Sequence, residues 1–294
     1  MRGFHPLGLG LGLNFRGMKL NAASGFTGLL DTYPGAAAAY SLQALSSSFQ
    51  NSDVIFARRS SDNAELGFTA TEITDGTLTT WAGAGDAFVK TWYDQSGNGR
   101  NATQPTAANQ PKIVSSGALV TGGLDFDGTN SRMDIDGYAP ISTSYYFAGV
   151  FNFDVSPTSL KTVFDSTNLT SGGFAIVAGN TANKFTPYGY FNGIVTARVL
   201  TSTSNLTLND SVYSALFKSA GSKSYINSVE EGSIATAWTT AGTNSFTKST
   251  IGYDQSTSGR DFDGQIREMI IYEVDQSSNR AAIEAEINSR YSIY

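Results

Sequence analysis

A chain of 294 residues with 40% hydrophobic residues carries enough apolar mass for one large core, while its 15% charged residues fall well below the ~25% of ordinary soluble domains. There is no cysteine, which excludes a disulfide framework, thiolate catalysis and zinc–thiolate sites. The net charge of −6, with no basic run, argues against a nucleic-acid partner, and no stretch reaches the ~18 consecutive apolar residues of a membrane span.

The first element is unusual. Residues 1–30 are rich in Gly and Leu, and Leu7, Leu9, Leu11 and Leu13 alternate with glycine ahead of Phe15. Period-two spacing predicts an extended segment with one apolar face. We read 1–30 as an anchoring arm and 31–294 as the folded domain. Next, Pro34 precedes a run of alanines, and Leu42, Leu45 and Phe49 share a helical face, so the pattern predicts a helix near 35–47.

From Asp53 onward short β-rich runs alternate with turn clusters. Strands are expected at Val54–Arg58, Phe88–Tyr93, Leu124–Phe126, Tyr145–Phe153, Phe174–Val177, Gly193–Leu200, Val212–Lys218, Lys223–Ile226, Ser249–Tyr253 and Gln265–Tyr272. Glu230-Glu231 reads as a hairpin turn. Ile283, Ile287 and Tyr291 recur every four residues, which predicts a closing helix at 279–290. Aromatics at 12% suit such an all-β domain, because a pleated surface packs large flat side chains well.

Several of these stretches resemble known families. Phe56–Phe68, Trp92–Gln104 (with Tyr93-Asp94-Gln95-Ser96-Gly97) and Asn109–Ile113 are similar to the catalytic domain of α-L-arabinofuranosidase B and to segments of tailed-phage structural proteins. Phe262–Tyr272 and the final helix resemble the end of laminin-G/concanavalin-like domains. The resemblance covers roughly 35–294 and implies a concanavalin/laminin-G-like β-sandwich (jelly roll). In those arabinofuranosidases a Glu nucleophile and an Asp general acid flank the sugar. The matching place here, after Phe164-Asp165 and Gly172-Gly173, falls on Ala175, so the expectation is that no catalytic residue is retained and that the chain is not an enzyme.

The candidate site residues follow from chemistry. Asp94 and Gln95 could bind sugar hydroxyls, although an Asp before Gln-Ser-Gly also fixes a tight turn, and the motif recurs as Tyr253-Asp254-Gln255-Ser256. Tyr188 and Tyr190, in a Gly-containing run, could stack on a sugar. Asp125 and Asp127 alternate on one strand face and could contribute to a Ca2+ site. His5 is the single histidine, so no histidine-based triad or zinc cluster exists. No cofactor other than Ca2+ is implied.

The functional expectation is a phage virion structural protein: a capsid decoration, head-fibre or tail-associated subunit at the virion surface. It would display a lectin-like domain toward host glycans, assemble as a homo-oligomer and dock on other virion subunits through Leu7, Leu9, Leu11, Leu13 and Phe15. The alternatives are a glycoside hydrolase of arabinofuranosidase type and a free carbohydrate-binding module.

Overall fold

The computed structural model describes residues 25–167, 172–179, 181, 183–190, 198–219, 221–235 and 246–294. The arm residues Leu7, Leu9, Leu11, Leu13 and Phe15 lie outside them. The chain is an all-β sandwich built from one continuous antiparallel hydrogen-bonded network folded into two layers.

The first layer centres on Asp263–Tyr272, the longest strand. One side pairs with Tyr145–Phe151, which leads on to Ser211–Phe217, Ser222–Ile226 and Val229–Ile234. The other side is shared, with Leu124–Asp127 on its first half and Ala38–Ser41 on its second. Alternation sorts the side chains of these central strands between two apolar clusters. Tyr145, Phe147, Phe151, Tyr213 and Met269 enter the core between the layers, where Phe151 stacks on Tyr213 at 4.1 Å. Tyr146, Ala148, Val150, Val212 and Ile270 point outward and are covered by Ile283 and Ile287 of the helix Arg280–Tyr291. The closing helix is thus where the four-residue repeat placed it. Its buried Glu284 accepts from Arg280, Ser214 and Ser228, and Arg290 with Tyr291 donates to buried Glu268.

The second layer runs from Glu65–Thr69 through Asp53–Arg59, Ala87–Trp92, Ala102–Thr103, Met133–Asp136, Lys248–Ile251, Lys161–Asp165, Phe174–Ala178 and Tyr188–Gly189 to Arg198–Val199. Lys112–Ser115 bridges Ala87–Trp92 to Leu124–Asp127 and so joins the layers at one end. Two short helices, Ala70–Thr74 and Thr77–Ala82, were not anticipated. Their signal is a capping box in which Thr69 and Glu72 satisfy each other's backbone N–H.

The helix expected near 35–47 is instead the strand Ala38–Ser41 followed by a 3-10 turn at Ser47–Phe49. Gly35 takes a left-handed φ of +87° directly after Pro34, which ends any helix there. The alanines are buried on both faces, Ala37 and Ala38 in the central core and Ala36 and Ala39 in the second cluster. Small residues are needed because both faces are covered, and helix propensity yields to that packing. Leu29 and Leu30, in the helical turn Leu29–Thr32, also pack in the second cluster, so the folded domain reaches back across residue 30. Glu230-Glu231 lies inside a strand, and the hairpin turns at Asn227 and Ser228, both left-handed with φ of +50° and +64°.

Among the described residues, Ala38–Ser41 has a strand neighbour on one side only. The other edge is closed by the loop Tyr93–Arg100. Asp94 Oδ1 accepts the Ala39 N–H at 2.9 Å, and the Gln95 N–H donates to the Ala39 carbonyl at 2.7 Å. The Gln95 side-chain amide reaches the carbonyls of Ser41 and Gln43 and accepts the Leu45 N–H. Ser96, Asn98 and Arg100 all donate to the Ala37 carbonyl. The loop acts as a surrogate strand. Replacing Asp94 by Ala strands the buried Ala39 N–H and the Arg100 N–H, and should lower unfolding free energy by about 3 kcal/mol in denaturant titration. A loss within ±0.5 kcal/mol, typical of neutral surface changes, would contradict this role.

Candidate functional site

The outer face of the second layer carries a register row that crosses its strands. Thr103 pairs with Asp134, Asp134 with Thr250, Thr250 with Asp165, Asp165 with Ala175, and Ala175 with Tyr188. Cross-strand partners share a face, so these side chains are neighbours. Ala175, Val177, Tyr188 and Tyr190 form a small apolar cluster of their own there, and Tyr188 meets Tyr190 edge to face at 5.8 Å.

Over this row folds the loop after Ile251. It departs at Gly252, where φ is +84° and a Cβ would stand 2.4 Å from the Phe126 ring. Only glycine fits there. The loop brings Asp254 beside Asp165. Gln255 donates its backbone N–H to Asp165 Oδ2 at 3.2 Å, and its side-chain amide reaches the carbonyls of Asp165 and Lys248. Thr167 donates both its N–H and its hydroxyl to Asp165 Oδ1. Arg260 Nη1 sits 2.7 Å from Asp254 Oδ2.

The two Tyr-Asp-Gln-Ser loops can now be compared. Both end in Gly-Arg, at Gly99-Arg100 and Gly259-Arg260, six residues after the aspartate. Asp94 accepts from four protein groups, namely the N–H groups of Ala39, Ser96 and Arg100 and the Ser96 hydroxyl. Asp254 accepts the N–H groups of Ser256 and Thr257 on one oxygen, and the Arg260 guanidinium on the other. Among the described residues no strand N–H meets Asp254 Oδ2. One loop closes a sheet edge, and the other leaves acceptor capacity next to a second carboxyl.

Asp165 is fully buried, and burial pushes its carboxyl up to about 6, with the Asp254 charge adding to the rise against the pull of the Thr167 and Gln255 donors. Burial likewise raises the Tyr188 and Tyr190 hydroxyls, and both feel the charges of Asp165, Asp254 and Arg260. Titratable groups driven this far by desolvation plus a named charge are a signature of functional sites.

The structure therefore brings Tyr188 and Tyr190 to the Asp165–Asp254 pair, and places Asp94 and Gln95 elsewhere, against Ala38–Ser41. Asp165 and Asp254 were missed as a site because 89 residues separate them in sequence; the repeat of Tyr-Asp-Gln-Ser was the signal that could have found Asp254. The Ca2+ expectation at Asp125 and Asp127 is not met by their surroundings. Asp127 Oδ1 is engaged by the N–H groups of Thr129, Asn130 and Ser131, and Asp125 accepts from Gln265 Nε2. Among the described residues no group of three or more acidic or histidine side chains is arranged to hold a metal.

The fold is an all-β sandwich with a pair of buried carboxyl groups on one outer face. No family model matches the chain, and no curated protein matches it. Solved structures do. A GH54 α-L-arabinofuranosidase soaked with a cyclic sulfate inhibitor aligns with a TM-score of 0.60 at 14% identity. An arabinofuranosidase complexed with arabinofuranosyl-α-1,2-xylobiose gives 0.57 at 15%, and a mutant GH54 enzyme soaked with 4-nitrophenyl α-L-arabinofuranoside gives 0.57 at 16%. Each alignment covers 86% of this chain, which spans 62% of the length of those enzymes. The likeness bears on the arabinofuranosidase side of the resemblance and not on its virion side.

The expectation that the chain is not an enzyme, which rested on Ala175, is overturned. The solved structures that align with this fold include GH54 arabinofuranosidases. In addition, Asp165 stands directly across from Ala175 on the adjoining strand, with Asp254 beside it, so the alanine does not empty the site of carboxyl groups.

The raised Asp165 carboxyl fixes a pH signature. The folded protein holds this proton up to about pH 6, whereas an unfolded chain releases it near 3.8. The stability lent by the group is complete below the lower value and is lost as pH rises through the higher one. Asp165→Asn should gain melting temperature relative to the parent protein as pH rises from 4 to 7. A difference that stays constant across that range would refute the buried-acid assignment.

Proposed function

We propose that this domain recognises a furanoside-type sugar and hydrolyses its glycosidic bond at the Asp165–Asp254 pair. The observation that carries the reading is a buried carboxyl held near pKa 6 beside a second buried carboxyl, on the same sheet face as two tyrosines. Glycoside hydrolysis needs one carboxyl that can give a proton to the departing oxygen and another that stays ionised to steady the sugar cation or activate water. Asp165 retains its proton to near-neutral pH. Asp254, paired with Arg260 through Oδ2, is the second carboxyl group. Tyr188 and Tyr190 form the apolar wall beside them.

On 4-nitrophenyl α-L-arabinofuranoside the intact chain should release nitrophenol, with kcat falling as pH rises past about 6, as Asp165 loses its proton. Asp254→Asn should reduce kcat by roughly 100-fold or more, the usual weight of an acid–base group. Absence of turnover on any aryl furanoside by the folded chain would sink the hydrolase reading and favour a carbohydrate-binding module.

We further infer that the domain is displayed as a symmetric homo-oligomer on a virion surface, held to neighbouring subunits by the arm. Two features support this: the even spacing of Leu7, Leu9, Leu11 and Leu13, and the likeness of Trp92–Gln104 to tailed-phage structural proteins. Because Leu29 and Leu30 belong to the core, the informative truncation stops before Gly25. Removing residues 1–24 should abolish assembly in analytical ultracentrifugation while the melting temperature stays unchanged. Assembly that survives the truncation would rule out the arm as anchor.

A further inference from the structure

Two clefts meet near the end of the sandwich where Lys112–Ser115 joins the layers, away from the carboxyl pair. One, of about 170 Å³, is walled by Leu42, Ile73, Leu119, Val120 and Tyr291. The other, of about 340 Å³, is walled by Asn152, Asp154, Leu208, Asp210 and Gln265. Gly122 and Arg267 belong to both. Arg267 runs between them, its guanidinium 5.6 Å from the centre of the Tyr291 ring and 2.7 Å from Asp210 Oδ2. Gly122 and Gly123 take left-handed φ of +98° and +122°, and a Cβ would stand 2.8 Å from Asn152 Nδ2 at the first and 2.2 Å from the Ile266 carbonyl oxygen at the second. Two adjacent residues without side chains thus leave a passage of bare backbone. The result is one groove, apolar at one end and acidic at the other. At the acidic end Asp154 is exposed, and burial together with the charges of Asp154, Asp125 and Asp127 raises the Asp263 carboxyl against the pull of Lys161. At the apolar end the exposed strand Ala118–Leu119 has, among the described residues, a strand partner on one side only.

We propose that this groove is the seat of the arm, with Leu7–Lys19 of a neighbouring copy lying along it. Delivery by a neighbour rests on the assembly reading above. Charge favours this occupant: residues 1–24 carry Arg2, Arg16 and Lys19 and no acidic residue, whereas the other 16 basic residues of the chain face 25 acidic ones. The order of the arm's residues also matches the groove. Leu7, Leu9, Leu11 and Leu13 would fill the apolar end, and Arg16 and Lys19 would follow toward Asp154 and Asp210. The intervening glycines let a strand approach bare backbone closely, and the open edge of Ala118–Leu119 supplies backbone groups for it to pair with. Reach is sufficient. Gly28 packs against the Leu45 backbone, three residues from Leu42, and the twelve residues from Leu13 to Gly25 extend to about 40 Å. Exchange of identical arms between copies is a low-cost route to a symmetric assembly.

The chain has no cysteine, so a pair introduced by substitution reports alone. Intact Leu11→Cys/Leu119→Cys protein, oxidised under native conditions, should give disulfide-linked chains on a non-reducing gel, with positions 11 and 119 joined in the peptide mass spectrum. In Leu11→Cys/Val229→Cys the second position is also exposed but lies on the far strand of the first layer, and linkage should be at least roughly tenfold slower, because a seated arm raises the local concentration only at the groove. Arg16→Glu with Lys19→Glu should slow the link between 11 and 119 about fivefold at low salt, the weight of two exposed ion pairs, and Asp154→Lys should restore part of the rate. Equal rates at 119 and 229, or linkage of 119 to 119 as from two copies face to face, overturns the groove as the arm's seat; a chain that still assembles in that case leaves the assembly reading standing. A fast link confined within single chains keeps the arm in the groove but discards its delivery by a neighbour, and the assembly reading with it. Melting temperatures of the reduced variants equal to the parent's separate loss of a contact from loss of fold.

Discussion

Nearly every strand at the centre of this protein is covered on both faces, and that makes the pairing of backbone N–H and C=O groups the governing constraint. Water cannot reach them, so each must find a protein partner. In the first layer Asp263–Tyr272 provides most of those partners, pairing with three strands. Where the supply of strands ends, at the free edge of Ala38–Ser41, side chains take over. Asp94, Gln95, Ser96 and Asn98 reproduce a strand's donors and acceptors from a loop.

The same local solution has been turned to a different use in the second layer. Tyr-Asp-Gln-Ser recurs at Tyr253–Ser256, and Gln255 again bonds to a neighbouring strand, but its backbone N–H meets a carboxylate where Gln95 meets a carbonyl. That exchange sets Asp165 and Asp254 side by side in a place without water, so one of them keeps its proton to about pH 6. A loop that secures an edge at one site becomes, with one change of partner, a loop that holds two carboxyl groups together. The burial that makes Asp165 chemically useful also destabilises its charged form, which is the ordinary tension between a site and its fold.

The chain shares a sandwich with arabinofuranosidases, and its two acidic residues lie one strand away from the position where sequence reasoning looked for a nucleophile and met Ala175. In a sheet the spatial neighbour of a position is the residue across the ladder, so Ala175 has Asp165 at its side although the two are ten residues apart in the chain.

Much of the architecture was legible in the sequence alone. β-rich runs between turn clusters marked strands at Tyr145–Phe153, Val212–Lys218 and Gln265–Tyr272, and the four-residue spacing of Ile283, Ile287 and Tyr291 marked the closing helix, because both signals are local. The alanine run at 36–39 misled, since helix propensity is local whereas burial on both faces is not. The site could not be read in advance for the same reason. Only the tertiary structure decided that Asp165 and Asp254, 89 residues apart, would lie buried beside Tyr188 and Tyr190, because desolvation and proximity arise only when distant strands come into register.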